Sequence, residues 1–155
     1  DSVQGDKIII EIAEKMCYNR NNHKPACFTL DAADIPDLVP ILAVLATFGT
    51  HPSEIHGAAR LKIKESDRAA AMVDCLSRLG GQIREETDTL IVDGGHPLHG
   101  ATVPSYGDHR IVMSMAIAAC LVDSPIVIEG AQAVEKSYPH FFEDFKALGG
   151  IVHVI

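Results

Sequence analysis

Apolar residues Ile9, Ile12, Ala13 and Met16 recur at helical spacing and predict a first helix over Asp6 to Met16, after which Asn19-Arg20-Asn21-Asn22 reads as loop. A second, strongly apolar helix is expected from Pro36 to Phe48, with Pro36 in its first turn and Pro40 as a candidate bend. Ser53 to His56 has the look of a short strand. The most regular pattern lies in Ser66 to Leu79, where Ala69, Met72, Val73, Leu76 and Leu79 share one helical face and Gly80 ends the run. Two strands, Gln82 to Glu85 and Thr89 to Val92, are expected around an acidic turn. A loop containing Gly and Pro follows through Gly107, and a helix starts near Asp108. The remainder predicts a strand at Ile126 to Glu129, a loop to Ser137, a helix from Pro139 to Leu148 and a last strand at Ile151 to Ile155. The class is mixed α/β (α+β).

Leu79-Gly80-Gly81-Gln82-Ile83 and Leu148-Gly149-Gly150-Ile151-Val152 each join a predicted helix to a predicted strand. Either a supersecondary unit is repeated, or glycine simply recurs after helices because it tolerates the left-handed conformation there. Both readings stand on these residues. Near Met16, a third copy would have Cys17 where glycine is expected.

Composition narrows the partners. With 155 residues, 47% of them apolar, the chain can bury a real core, as one domain or as part of a larger one. Lys and Arg number 13 against 21 Asp and Glu, a net charge of −8, so no overall basic surface for nucleic acid exists and any bound anion must be met by local cations. Cys17, Cys27, Cys75 and Cys120 form no Cys-x-x-Cys pair, and the N-terminus carries no signal-like apolar stretch. Reduced thiols in a cytoplasmic protein are therefore expected. The apolar run Ile111 to Val122 is broken by Ser114 and is shorter than the roughly 20 residues of a bilayer span, so it is expected to be a buried core helix, with no membrane partner.

Within this acidic chain, Arg60, Lys62, Lys64 and Arg68 crowd one loop and helix start, with Glu65 and Asp67 among them. Backbone N–H groups and the helix dipole favour a phosphate or carboxylate at such a place, although an isolated segment of this kind also suits a solvated surface. The pattern recurs: Asp108-His109-Arg110 opens one predicted helix and Lys136-Ser137-Tyr138-Pro139 another. Three helix starts bearing Arg68, Arg110 and Lys136 predict a convergent cationic pocket. Asp37 suits the first turn of its helix electrostatically. Glu65, between Lys64 and Arg68, suits a proton relay. His109 beside Asp108 fits either a catalytic pair or a helix-opening Asp with an orienting His. His96-x-x-His99 lacks a third ligand at recognisable spacing, so no metal is expected. No phosphate loop of the Walker or dinucleotide type occurs.

The ordered set Asp34-Ile35-Pro36-Asp37, Arg60-Leu61-Lys62-Ile63-Lys64-Glu65-Ser66-Asp67-Arg68, Gly107-Asp108-His109-Arg110 and Lys136-Ser137-Tyr138-Pro139-His140-Phe141-Phe142 resembles the 5-enolpyruvylshikimate-3-phosphate synthase family. The likeness runs from about Ser2-Val3-Gln4-Gly5-Asp6 to the C-terminus. The resemblance implies a two-domain enzyme whose domains are each built from three βαβαββ units, an inside-out α/β barrel with substrates bound between the domains. This chain, residues 1–155, would be the C-terminal part, about two repeat units and an incomplete domain, without the N-terminal domain.

The implied reaction moves the enolpyruvyl group of phosphoenolpyruvate to the 5-hydroxyl of shikimate 3-phosphate, through addition and then elimination of phosphate. By motif matching, Asp37, Glu65 and Lys64 would be catalytic, and Arg60, Lys64, Arg68, Arg110 and Lys136 would bind substrate. No metal, nucleotide or redox cofactor is implied. Two departures stand out: the stretch between Met16 and Asp31 is short for the family's strand-turn-strand, and Tyr138 occupies a place often held by Phe. The alternatives are the related transferase acting on UDP-N-acetylglucosamine, and a non-catalytic fragment holding half a site.

Overall fold

The computed structural model describes residues 7–58, 61 and 64–155; Arg60, Lys62 and the opening Ser2-Val3-Gln4-Gly5-Asp6 segment lie outside them. The elements in order are α1 (Ile8–Asn21), β1 (Thr29–Asp31), α2 (Val39–Thr47), β2 (Ser53–His56), α3 (Arg68–Arg78), β3 (Gln82–Glu86) and β4 (Thr89–Asp93). They continue with β5 (Thr102–Pro104), α4 (His109–Ala118), β6 (Val127–Glu129) and α5 (Phe141–Ala147). Segments of 3-10 helix lie at Pro36–Leu38, Ala119–Leu121 and Ala131–Lys136.

β4 is the organising strand of a four-stranded sheet of order β1-β2-β4-β3. It runs antiparallel to both neighbours, pairing Leu90 with Ile55 and Val92 with Ile83, while β1 lies parallel to β2. Alternation along β4 buries Leu90 and Val92, as the period of two requires for a sheet covered on one face. The cover is helical: Leu42 of α2, Met72 and Leu76 of α3, and Ile111 and Met115 of α4 are all fully buried with Ile55 and Leu90. Each such side chain contributes about 1.5–3 kcal/mol by leaving water. A smaller cluster, Val112 with Ala133, Val134, Phe141 and Phe142, seats the Ala131–Lys136 turn and α5 against α4. No described helix is long and apolar enough to cross a membrane, and the apolar run expected to be a core helix is α4 with its following turn.

Several expectations need correction. The Asn19-Arg20-Asn21-Asn22 segment is helix to Asn21, because Arg20 donates to the Phe48 carbonyl and lies 4.3 Å over the Phe48 ring. That tertiary anchor outweighs the weak helix preference of asparagine. Pro40 bends nothing; it stands in the first turn of α2, and the change from the Pro36–Leu38 3-10 turn to α-helix takes the place of a bend. β1 and β5 were hidden from the sequence pattern, since three residues are too few to show alternation. β5 exists by parallel pairing with β6.

The last predicted strand does not form. Ile151, Val154 and Ile155 are 85%, 96% and 97% exposed, and no strand assignment reaches them. A strand is made by its partner's hydrogen bonds, whatever its apolar pattern. The two Leu-Gly-Gly segments consequently differ. Gly80 and Gly149 share a left-handed φ of +89° and +99°, but Leu79 is buried and Leu148 is exposed.

Candidate active site

The loop before α3 and the first turns of α3 and α4 meet at one place, with the Pro36–Leu38 turn facing them. Capping explains why both helices start there. The Asp67 carboxylate accepts from the Ala70 N–H at 3.1 Å, and Asp108 accepts from the Arg110 N–H at 2.8 Å. Arg68 is thus the first residue of α3, and Arg110 lies in the first turn of α4. The Tyr106 hydroxyl donates to Asp74 at 2.7 Å, tying the loop ahead of Asp108 to α3. Burial first, and then this bond to a carboxylate, push the Tyr106 phenol up to about 12.

Arg68 lies at the centre. It is 2% exposed, and its Nε and Nη2 grip Asp108 at 2.7 and 3.3 Å. Its Nη1 donates to Asp37 Oδ1 at 2.5 Å, and Nη2 lies 3.9 Å from Glu65 Oε2. One guanidinium therefore spans three carboxylates from three parts of the chain, using the fork geometry that arginine alone provides. Burial opposes its charge, yet Asp108 and Asp37 more than compensate and raise its pKa. For Asp108, burial likewise pushes upward, and the Arg68 bonds, the Arg110 N–H and the Ser66 hydroxyl at 3.0 Å hold it below the usual carboxylate range.

Asp37 is more open, with 46% of its side chain exposed. Besides Arg68 it meets Lys64 Nζ at 3.3 Å and Arg110 Nη2 at 3.6 Å. Partial burial raises its pKa, but the bonds and charges of Arg68, Lys64 and Arg110 prevail and lower it. Glu65 Oε2 lies 2.8 Å from His109 Nδ1, whose ring is nearly buried. His109 is only 3.9 Å from Asp108 Oδ1, so its close partner is Glu65 rather than the neighbour in sequence.

Lys64, Glu65, Asp37, Arg68 and Arg110 are therefore brought together in one cluster. Lys136 is not at a helix start. It ends the Ala131–Lys136 turn, while α5 begins at Phe141, so two helix starts rather than three carry the cations. Its ammonium nonetheless reaches the site's edge, donating to the Gly107 carbonyl at 3.3 Å. Asp37 belongs to a 3-10 turn rather than to an α-helix. Arg60, expected to bind substrate, lies outside the described residues.

Sequence reasoning missed Asp108 and Ser66 as organisers of Arg68. The available signal was an Asp at a helix start, which reads as a cap and hides its second role. Among the described residues, Glu65, Asp108 and His109 are the group whose donor atoms lie within 4.8 Å of one another, and His96 and His99 join no such group. Both Asp108 oxygens face the Arg68 guanidinium, whose charge opposes a cation there.

A site of this kind can hold an anion against Lys64, Arg68 and Arg110 while Glu65 and Asp37 exchange protons beside it. Known proteins bear on which anion. A protein named 3-phosphoshikimate 1-carboxyvinyltransferase from Clostridium novyi is 45% identical over 161 residues, covering 98% of this chain and 37% of the relative. One of the same name from Methanococcus maripaludis is 39% identical over 165 residues, covering 100% and 38%. This chain thus spans little more than a third of such relatives.

Among solved structures, an EPSP synthase from Acinetobacter baumannii superposes with a TM-score of 0.71 at 31% identity, covering 79% of this chain and 28% of that one. The enolpyruvyl transferase NikO from Streptomyces tendae shares the fold, with a TM-score of 0.66 at 21% identity over 81% of this chain and 28% of its own. The model of the EPSP synthase (3-phosphoshikimate 1-carboxyvinyltransferase) family matches residues 2–145, and with these relatives it establishes that the chain belongs to that family.

Proposed function

We propose that this chain is the C-terminal part, about two βαβαββ units, of an enzyme that transfers the enolpyruvyl group of phosphoenolpyruvate to the 5-hydroxyl of shikimate 3-phosphate, with an N-terminal domain supplying the other half of the site. The observation that carries the proposal is the convergence of Lys64, Arg68 and Arg110 on one carboxylate position, with Glu65 and His109 alongside. Both substrates are anions, and a planar carboxylate suits the arginine forks. Arg68 and Arg110 hold the phosphoenolpyruvate carboxylate, Lys136 its phosphate side, and Lys64 with Asp37 the shikimate phosphate and its reacting hydroxyl. Arg60 adds a further substrate contact. The names of the relatives favour shikimate 3-phosphate over a UDP-amino sugar as acceptor.

In the addition step the methylene carbon of phosphoenolpyruvate gains a proton, and the acceptor oxygen, losing its own, bonds to the adjacent carbon. In the elimination a methyl proton leaves as the bond to phosphate breaks, restoring the double bond. Glu65 and Asp37 carry these protons, and Lys64 assists. The cations around them stabilise the charge that develops on the way. Nothing in this chemistry calls for a metal, nucleotide or redox cofactor, and the enzyme works in the cytoplasm.

Glu65→Gln in the full-length enzyme tests the assignment through phosphate release. The variant should lose about 100-fold or more in kcat, the scale of general acid–base catalysis, with KM little changed. An unchanged kcat removes Glu65 from the mechanism.

A further inference from the structure

Asp37 is the carboxylate on which Lys64, Arg68 and Arg110 converge. Its Oδ1 is 2.5 Å from Arg68 Nη1 and 3.3 Å from Lys64 Nζ, and its Oδ2 is 3.6 Å from Arg110 Nη2. Arg68 turns Nε and one Nη2 N–H to Asp108, which leaves Nη1 as a donor that an incoming anion could take, and Asp37 accepts from it. The two partners differ in freedom. The Arg68 side chain is 3% exposed and fixed by buried Asp108, whereas that of Asp37 is 46% exposed and able to swing away. Arg110 Nε is buried and has no hydrogen-bond partner among the described residues, so the Asp37 contact does not reach it.

We propose that Asp37 is an internal stand-in for the ligand's carboxylate or phosphate, which displaces it from Lys64, Arg68 and Arg110 and thereby frees it to accept a proton only when the site is loaded. This inference rests on the site being one for anionic substrates. The charged groups that hold Asp37 are Lys64 from the loop before α3, Arg68 from α3 and Arg110 from α4. While they hold it, their bonds and charges outweigh burial and make Asp37 a weak base. Once a ligand takes its place, Asp37 loses the bonds and charges that lowered its pKa and gains an anion as neighbour, so its proton affinity rises. The device keeps three clustered cations compensated in the empty site and couples basicity to occupancy.

The test compares the full-length enzyme with its Asp37→Asn variant, using phosphoenolpyruvate as the probe in titration calorimetry at low ionic strength. Removing the internal competitor should tighten binding about tenfold, because an adjacent opposite charge is lost from the empty state alone. In parallel, carboxyl-carbon NMR of the unmodified enzyme should show the Asp37 titration moving up by about one pH unit when phosphoenolpyruvate is added. Equal or weaker binding by the variant, or an Asp37 titration that ignores the ligand, overturns the inference and leaves the transferase assignment standing. Binding by neither enzyme overturns the inference and also counts against the anionic-substrate site.

Discussion

Replacing Asp108 by alanine tests how the site is built, because one buried carboxylate there does three things. It pairs with Arg68 through both oxygens, it caps α4 through the Arg110 N–H, and it accepts the Ser66 hydroxyl. Arg68 is 2% exposed and Asp108 fully buried, so deleting the carboxylate leaves a guanidinium charge with little water to solvate it. Removing one partner of a buried ion pair costs about 3–5 kcal/mol, and losing an N-cap costs about 1 kcal/mol. The two costs share one side chain and do not simply add. Asp37 remains on Arg68 Nη1 and softens the loss, which places the expected cost at about 3 kcal/mol.

Urea unfolding of the 155-residue chain, followed by far-ultraviolet circular dichroism, measures this loss as a fall in midpoint at unchanged slope. Against a total stability of about 5–15 kcal/mol, such a loss is large. The double variant Arg68→Met with Asp108→Ala should be better than the sum of the single variants, since no buried charge is then left unpaired. A cost below about 1 kcal/mol for Asp108→Ala, or strict additivity in the double variant, would refute the picture of Asp108 as the anchor of Arg68.

Two further outcomes follow from the titration of the site's carboxylates and of a buried thiol. Asp37 and Asp108 are both held below the usual carboxylate range, so the unfolded chain takes up their protons first as pH falls; their stabilisation is complete above about pH 4 and is lost as pH drops through the folded values. Urea midpoints measured from pH 6 to pH 3 should therefore decline at the acid end, and less steeply in Asp108→Asn; equal declines would count against this origin. The Cys75 thiol is buried and pushed up to about 12, by burial first and then by the charge of Asp74, whereas Cys17 and Cys120 are exposed. Ellman's reagent should label Cys17 and Cys120 in the native chain and Cys75 only on unfolding; native labelling of Cys75 at the rate of Cys17 would show the core to be open.

Much of this protein was legible in its residues. The stripe Ala69, Met72, Val73, Leu76 and Leu79 announced α3, because a helix that buries one face must repeat apolar positions at its own period, and the expected bounds Ser66 and Leu79 lie within two residues of Arg68–Arg78. The β3–β4 hairpin was visible for the corresponding reason, two alternating runs around an acidic turn. The ordered motifs from Asp37 to Lys136 carried the resemblance to the family, which the match of the family model over residues 2–145 bears out.

What the tertiary structure decided concerns partners far apart in the chain. β1 and β5 are strands because parallel neighbours complete their hydrogen bonds, while the Ile151 to Ile155 segment pairs with no strand among the described residues. The helix end at Arg20 and Asn21 depends on Phe48, a residue of another element. The sequence placed Arg68 among the cations and His109 beside Asp108. Only the fold showed that Arg68 is locked between Asp108 and Asp37 and that His109 turns to Glu65. Residue types and spacing encode what a segment can do locally, whereas the pairing of a buried charge is settled by which of several eligible partners the packed core brings within hydrogen-bond distance.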